Sequence, residues 1–409
     1  MPFADPNIEG NARKALNSLV LGLLKRTVQP LKDRAPKLGT LAVVEEPVLF
    51  EHILRNPQVF QKNFALVAAL GESRFNLNGE RWEMFRDRTQ KAYNQAGKPT
   101  EHAAIAEIYE KAVNAFDPSN VDNFETLLNK AAIGVFARAL RIEPDIEATG
   151  RLFPEVRTHA KLLQYFSWSG ISEPEVILER TKWMDEQFNK IFTDDPLSRD
   201  FIQQSIAGES IDEWFPAITD LMQNLFAGAE TTVATLCWAI RLVGQNQELQ
   251  DNLRAEALSK EHDKPLMRSF LSEVMRCVPP IPFVVRELTE DYEGHGRRFK
   301  KGEQVILSII GLHKHPDAWE NPNQFHARRS EFAPSNRPSK AFRPFLSGPR
   351  VCGGKRLAEL EMMIAMGAVL QKWQIMTSDK DIGFEYALAM RPASLAGVKV
   401  VPVAKVSSS

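Results

Sequence analysis

The sequence predicts a mainly α-helical protein with a small β-rich lobe. Its 409 residues are enough for one large domain, and no clean linker divides them. Apolar residues recur at helical spacing over 101–116, 120–140, 173–192, 211–243, 247–260, 266–276 and 355–373. Extended character is confined to 38–46, 282–288, 304–310 and 395–406. Because strands are few and scattered, we expect one helical domain over residues 1–409.

Composition excludes several classes of protein. The net charge of −1 gives no whole-chain affinity for nucleic acid or acidic membranes. Three cysteines are too few for a disulfide framework, so a reducing cytoplasm is expected. The N-terminal apolar run has only about ten residues, too short to span a bilayer. We interpret it as an amphipathic helix on the body of a soluble monomer with no membrane span.

Cys352 lies in an unusual glycine-rich setting, in "FRPFLSGPRVCGGKRLAELEMMIAMGAVL". It immediately precedes a predicted helix, whose N-terminal amides favour an anion. Gly353 and Gly354 allow close backbone approach, and Arg350 and Lys355 add positive charge. These features favour the thiolate form, which is the form that binds metals.

A zinc site would need further ligands, but no second cysteine or suitably spaced histidine lies near Cys352. One protein thiolate on a metal already ringed by four nitrogens indicates heme. The alternative is an inert cysteine in a turn, which is our interpretation of Cys237 and Cys277. A phosphate-binding loop is rejected, because Gly354 stands where that motif requires lysine.

The pattern Phe345-x-x-Gly348-x-Arg350-x-Cys352-x-Gly354 resembles the heme-binding signature of the cytochrome P-450 superfamily. The resemblance implies the cytochrome P-450 fold, heme b (iron protoporphyrin IX) as cofactor and Cys352 as the iron ligand. It places the other four pattern residues beside the cofactor. The sequence departs from the family patterns at Leu346, where glycine is common in the cysteine loop. It also departs at Ala327 and Ser330, which flank Arg329 in another family motif.

A second motif lies in "NLFAGAETTVATLCWAI". Gly228 weakens the helix, the Thr231 hydroxyl can bond the Ala227 carbonyl, and burying Glu230 without a role would be costly. The alternative is an amphipathic helix with a solvated glutamate. The stretch resembles the oxygen-activation motif of the same superfamily. The resemblance implies that Ala227 and Gly228 contact the cofactor and that Glu230 and Thr231 are catalytic, as a proton relay.

Two further groups of residues fit the resemblance. Glu273 and Arg276 share a helix face, and Arg329 resembles the arginine that completes a structural Glu-Arg-Arg triad. An exposed salt bridge is the alternative. Trp82 and Arg86, one helical turn apart, resemble partners of a heme propionate, as does Arg286. The alternatives are a packed tryptophan with a surface arginine, and a strand-edge arginine.

The predicted substrate pocket is apolar, so a hydrophobic small-molecule substrate is expected. Segments near 60–77 and 155–185 are expected to add a lid. Ordinary core packing is the alternative for each lining residue. The predicted lining residues are Leu225, Ala229, Ile281, Pro282, Phe283, Val284, Leu388 and Met390.

The resemblance implies a soluble, bacterial-type monooxygenase that inserts one atom of O2 into a C–H bond. Electrons would come from a separate ferredoxin or flavodoxin with an NAD(P)H-dependent reductase. The alternatives are a hydrogen peroxide-driven peroxygenase and a non-catalytic heme carrier or gas sensor. A basic run around the thiolate loop is expected to meet an acidic donor. It comprises Lys340, Arg343, Arg350, Lys355 and Arg356.

Overall fold

The computed structural model describes residues 6–25, 41–63, 71–169, 175–205, 214–261, 263–332, 340–378 and 383–403. Over these ranges the chain is mainly helical with short strands, as predicted. The helices are α1 (Pro6–Leu24), α2 (Pro47–Arg55), α3 (Gly79–Ala96), α4 (His102–Asn114), α5 (Asn123–Leu140), α6 (Ile146–Ser169), α7 (Glu175–Asp194), α8 (Pro196–Ser205), α9 (Trp214–Val243), α10 (Gln247–Leu258), α11 (Pro265–Cys277), α12 (Ile309–Leu312) and α13 (Lys355–Lys372).

Helix α9 is the centre of the fold. It packs against α5, α7, α11 and α13, and its apolar residues belong to the largest hydrophobic cluster. Its segment Ile218–Val243 is long and apolar enough to cross a membrane, yet most of that stretch is buried inside the protein. A helix that is apolar on every side needs such burial, and here neighbouring helices provide it.

The β-rich lobe is built on a four-stranded sheet. Its strands lie in the order β1 (Ala42–Val44), β6 (Gln304–Ser308), β3 (Phe283–Leu288) and β2 (Phe60–Lys62). Strand β1 is parallel to β6, and the other two pairings are antiparallel. The remaining strands form two-stranded ribbons: β4 (Tyr292–Gly294) with β5 (Arg297–Phe299), β7 (Trp373–Thr377) with β10 (Val398–Pro402), and β8 (Phe384–Tyr386) with β9 (Met390–Pro392).

Helix α1 lies on the body of the protein, as expected. Its buried leucines Leu16 and Leu19 share a hydrophobic cluster with Phe283 of β3. The Asn17 amide donates to the Phe384 carbonyl at 3.0 Å, and its oxygen accepts from the Tyr386 amide at 3.0 Å. The helix is therefore fixed to the β8–β9 ribbon by polar contacts as well as by apolar packing.

Some elements differ from the predictions. Helix α6 was not predicted, because Gly150 and Pro154 interrupt its pattern, although the helix accommodates Pro154. The C-terminal extended segment forms a strand only over Val398–Pro402. Parts of several predicted segments lie outside the described residues, namely 38–40, 64–70, 170–174, 211–213 and 404–406.

Candidate active site

Cys352 lies in a tight loop that ends at the N-terminus of α13. The Cys352 amide donates to the Phe345 carbonyl at 2.9 Å, which closes the loop. Gly348 has φ +70°, and a Cβ there would lie 2.5 Å from the Leu54 carbonyl oxygen, so this position requires glycine. Leu346 adopts a left-handed φ of 59°, which explains why glycine is common at its position. Cys352 itself is accessible, so a ligand can reach it.

Burial raises the pKa of the Cys352 thiol, because the surrounding protein excludes water from the sides of the sulfur that do not face solvent. The Gly354 amide, Arg74 and Lys62 act in the opposite direction. In the polypeptide alone, burial therefore outweighs the features that were expected to favour the thiolate. Binding to a metal cation would be needed to hold the thiolate form.

Polar contacts from Glu51 and His313 help to hold the thiolate loop. Glu51 of α2 accepts hydrogen bonds from Arg343 Nε at 3.0 Å and from the Ser347 hydroxyl at 2.8 Å. The buried His313 ring accepts from the Arg343 amide through Nε2 and contacts the Met275 carbonyl through Nδ1, which must therefore carry the proton. Burial lowers the pKa of His313 to about 3, so the ring is neutral.

Four cations converge beside Cys352. Arg286 and Arg350 were predicted there, whereas Lys62 and Arg74 were not. Lys62 lies opposite Arg286 across the β2–β3 pairing. Burial, together with Arg286 and Arg350, lowers the pKa of Lys62 well below its usual value. Burial also lowers the pKa values of Arg286 and Arg350 to about 10.

These charges need an anion that the described polypeptide does not provide. Within the described ranges, Lys62, Arg286 and Arg350 form no ion pair, and the hydrogen bonds of the two arginines go to neutral acceptors. Nη2 of Arg286 and Nη1 of Arg350 are buried without a hydrogen-bond partner. Unpaired buried cations are costly, and the two carboxylates of heme b would satisfy them next to the Cys352 sulfur. The residues therefore fit heme, with Cys352 as the iron ligand.

Trp82 and Arg86 are arranged differently from the prediction. The Arg350 guanidinium lies 4.0 Å from the centre of the Trp82 ring, so Trp82 packs against one of the four cations beside Cys352. Arg86 stacks on the same ring at 4.8 Å but donates to exposed Asp87 at 2.7 Å. In this conformation Arg86 belongs to a surface ion pair and does not join the four cations beside Cys352.

Helix α9 presents half-buried residues Ala227, Gly228 and Thr231, although most of the helix is buried. The Thr231 hydroxyl donates to the Ala227 carbonyl at 2.8 Å, as the spacing predicted. A Cβ on Gly228 would overlap the ring of Phe136 in α5. The glycine therefore allows α5 and α9 to approach closely, a function that the prediction of cofactor contact did not include.

Glu230 is buried and doubly paired, so the alternative of a solvated glutamate is wrong. Arg157 of α6 donates to both carboxylate oxygens at 2.9–3.0 Å, and Arg391 of β9 pairs with the same carboxylate. Both arginines also pair with Glu125, at 2.9 and 2.6 Å. Two carboxylates thus balance two guanidiniums. No contact between Glu230 and Thr231 is present among these interactions, and no sequence motif pointed to Arg157 or Arg391.

The predicted Glu273–Arg276–Arg329 pairing is present and buried, which excludes the exposed salt bridge. Arg276 donates to both Glu273 oxygens at 2.7 and 2.8 Å, and Arg329 donates to Oε2 at 3.0 Å. The remaining guanidinium donors bind backbone carbonyls of His313, Glu320, Pro322 and Gln324. Glu331, 3.9 Å from Arg329, is a second carboxylate for the two arginines, so this network holds structure and leaves no group for chemistry.

The predicted pocket residues divide into two groups. Ile281, Val284 and Leu388 are half-buried and remain candidates for lining a chamber. The others are buried; on β3, Phe283 and Val284 differ because successive residues of a strand face opposite sides. Phe283 turns toward α1, next to Met390. The buried residues are Leu225, Ala229, Pro282, Phe283 and Met390.

Comparisons with known proteins show the family of this chain. A family model described as Cytochrome P450 matches residues 175–399, more than half of the chain. The chain belongs to the cytochrome P450 family, whose members are monooxygenases that use heme b. The rat protein Cytochrome P450 4X1 is 30% identical over 222 residues, which are 49% of this chain and 43% of that relative. The alignment thus spans less than half of the relative's length.

Solved structures show the same fold. A crystal structure of the cytochrome P450 CYP102L1 has a TM-score of 0.73 at 20% identity, covering 94% of this chain and 98% of that chain. The retinoic acid-bound cyanobacterial CYP120A1 has a TM-score of 0.70 at 19% identity, covering 94% and 96%. At this identity the likeness supports the cytochrome P450 fold alone.

Replacing Glu273 with Gln should destabilise the protein by about 3–5 kcal/mol, because two buried guanidiniums lose their counter-charge. Chemical unfolding followed by circular dichroism measures the change. Glu107→Gln, on the exposed face of α4, is the control and should change stability by less than about 0.5 kcal/mol. Equal effects of the two variants would contradict the assigned role of Glu273.

Stability should fall in acid because of His313. Its folded pKa of about 3 lies below the usual value of 6.5, so the unfolded chain binds the extra proton first. The contribution is present above pH 6.5 and is lost as the pH falls toward 3, by about 2 kcal/mol at pH 5. His313→Gln should be less stable at pH 7 but should show a shallower loss between pH 7 and pH 5.

The control for this pH experiment is His102→Gln, which changes an exposed histidine at the start of α4. It should keep the pH dependence of the original protein. A parallel loss in the original protein and in His313→Gln would show that another group carries the acid sensitivity.

Proposed function

We propose that this chain is a heme-thiolate monooxygenase that inserts one oxygen atom of O2 into a C–H bond of a small hydrophobic substrate. The observation that carries the proposal is an accessible cysteine beside buried cations that lack an anion. When bound through a thiolate, heme supplies reductive activation of dioxygen. Lys62, Arg286 and Arg350 would hold its carboxylates, and Cys352 would bind its iron.

Thr231 is the proposed proton donor on the substrate side. Its hydroxyl is half-buried and is already oriented by the Ala227 carbonyl, whose position is fixed by the helix. Glu230 is proposed to supply protons to this region. Because two arginines bind its carboxylate, Glu230 can supply protons only when one of these arginines releases it. The Arg157 and Arg391 side chains therefore determine when the acid is free.

The substrate is proposed to be apolar, since the half-buried candidates Ile281, Val284 and Leu388 carry no polar atoms in their side chains. Leu388 lies in the turn between β8 and β9. The ribbon is held in place by two side chains of α6: Lys161 pairs with Glu385 at 2.6 Å, and Gln164 donates to the Ala387 carbonyl at 2.6 Å. This rigid support suits a residue that restricts the substrate.

The proposed electron donor is a separate acidic ferredoxin or flavodoxin, served by an NAD(P)H-dependent reductase. Lys340, Lys355 and Arg356 are exposed around the thiolate loop and support such a surface. Arg343 pairs with Glu51 and Arg350 is buried, so these two contribute little to it. We propose further that the protein is a soluble, bacterial-type, cytoplasmic monomer.

The absorption spectrum of the dithionite-reduced, carbon monoxide-bound protein tests the proposed function. A strongly red-shifted Soret band is expected, because a thiolate ligand donates charge to the iron. Cys352→Ser should lose the shift, whereas Cys237→Ala, which changes a buried cysteine of α9, should keep it. An unshifted band in the original protein, or a shift that survives in Cys352→Ser, would contradict the proposal.

Thr231→Ala should uncouple electron consumption from product formation several-fold, since protons would no longer be delivered in an ordered way. The measurement is product formed per NAD(P)H oxidised with a reconstituted redox partner. Thr235→Ala is the matched control, because Thr235 makes the same type of bond, to the Thr231 carbonyl at 2.9 Å, but is buried. Unchanged coupling in Thr231→Ala would exclude the assigned role and would favour a peroxide-driven reaction.

A further inference from the structure

We infer that Arg74 is a positioning residue, whose guanidinium fixes the Cys352 loop against the central helix and keeps a positive charge beside the sulfur. The inference rests on the proposed heme-thiolate function and concerns a residue that lies outside the sequence motifs of the site. Arg74 is buried, in the segment that precedes α3.

The guanidinium connects to the thiolate loop through one amide. Arg74 Nη1 donates to the Thr89 hydroxyl at 2.8 Å, and Nη2 donates to Gln90 Oε1 at 3.0 Å. The other end of that amide, Gln90 Nε2, donates to the Gly353 carbonyl at 3.0 Å. Gln90 therefore joins Arg74 to the residue that follows Cys352, and both ends of its amide are used.

Gly353 is shaped for this arrangement. A Cβ at this position would lie 2.4 Å from Arg74 Nη2 and 2.5 Å from Gln90 Oε1. The backbone of Gly353 is not in the left-handed region, so its conformation alone would accept alanine. The absence of a side chain thus serves to admit the guanidinium, in contrast to Gly348, where the backbone itself requires glycine.

The same segment is tied to α9 at its other end. The Arg74 amide donates to Asp220 Oδ1 at 3.0 Å, and the Ser73 hydroxyl donates to Gln223 Oε1 at 2.6 Å. Gln223 Nε2 in turn donates to the Gly71 carbonyl at 3.1 Å. A continuous set of buried and half-buried polar contacts therefore runs from the central helix to the thiolate loop, and Arg74 is the residue that bridges them.

This position has an electronic consequence. A buried cation near a thiolate ligand lowers the ligand's electron donation and favours the reduced iron, which carries one more negative charge. Removing the charge should therefore make the heme harder to reduce. A residue that only filled space would change stability and would leave the reduction potential unchanged.

The test compares the midpoint potentials of the heme-loaded protein, Arg74→Gln and Arg74→Lys by spectroelectrochemistry. In Arg74→Gln the ratio of reduced to oxidised heme at a fixed potential should fall about tenfold, which corresponds to a shift of about −59 mV for one electron. Arg74→Lys keeps the charge and should shift less. Lys91→Gln removes an exposed cation of α3 and should leave the potential unchanged.

Gly353→Ala provides an independent test that leaves Arg74 in the sequence. The methyl group should displace the guanidinium and shift the potential in the same direction. The double variant Arg74→Gln/Gly353→Ala should shift no further than Arg74→Gln alone, because both changes remove one interaction. This variant also keeps the inference testable if Arg74→Gln folds poorly.

An unchanged potential in both Arg74→Gln and Gly353→Ala, with the red-shifted carbon monoxide band intact, would overturn the inference and leave the proposed function standing. Full additivity in the double variant would likewise overturn it. A failure of the proposed function would differ, because the original protein itself would then lack the red-shifted band.

Discussion

Glu273 lies fully buried at the end of α11, where both carboxylate oxygens receive hydrogen bonds from Arg276 and Arg329. The remaining donors of these arginines bind the carbonyls of the irregular chain that leads to the thiolate loop. His313 extends the connection, because its ring joins α11 to the Arg343 amide just before the loop. The buried ion pairs of Glu273 thus fix the backbone of a segment that has little regular secondary structure. The network therefore supports the segment that precedes the cysteine.

The buried groups of charge in the described residues differ in whether they contain carboxylates. At Glu273 and at Glu230, buried guanidiniums pair with a carboxylate. Beside Cys352, Lys62, Arg286 and Arg350 have no carboxylate partner among the described residues, and Lys62 and Arg286 lie directly opposite each other in the sheet. Such an arrangement costs free energy in the polypeptide alone. A ligand with negative charge would complete it, so the imbalance marks the site more clearly than any single residue does.

Much of the site could be predicted because its parts are local in the sequence. The cysteine loop, the Thr231–Ala227 hydrogen bond and the Glu273–Arg276 pair each lie within a few residues, so spacing alone brings the groups together. Arg74, Arg157 and Arg391 could not be predicted, because each reaches the site from a different element and stands in no motif. Helix α6 was missed for a related reason, since its packing overrides the local preference of Pro154. The burial of Glu230 likewise depends on partners supplied by the tertiary fold.

The pairing of β2 with β3 has a consequence for the assembly of the protein. Side chains alternate along a strand, so a shift of one residue would turn Lys62 or Arg286 away from the cysteine. The correct register places two like charges opposite each other, which weakens this edge of the sheet until an anion arrives. Heme carboxylates bound here would relieve the repulsion that this register contains in the polypeptide alone. A ligand that binds only the folded protein stabilises it according to its affinity, so folding stability and cofactor binding would be linked at this edge of the sheet.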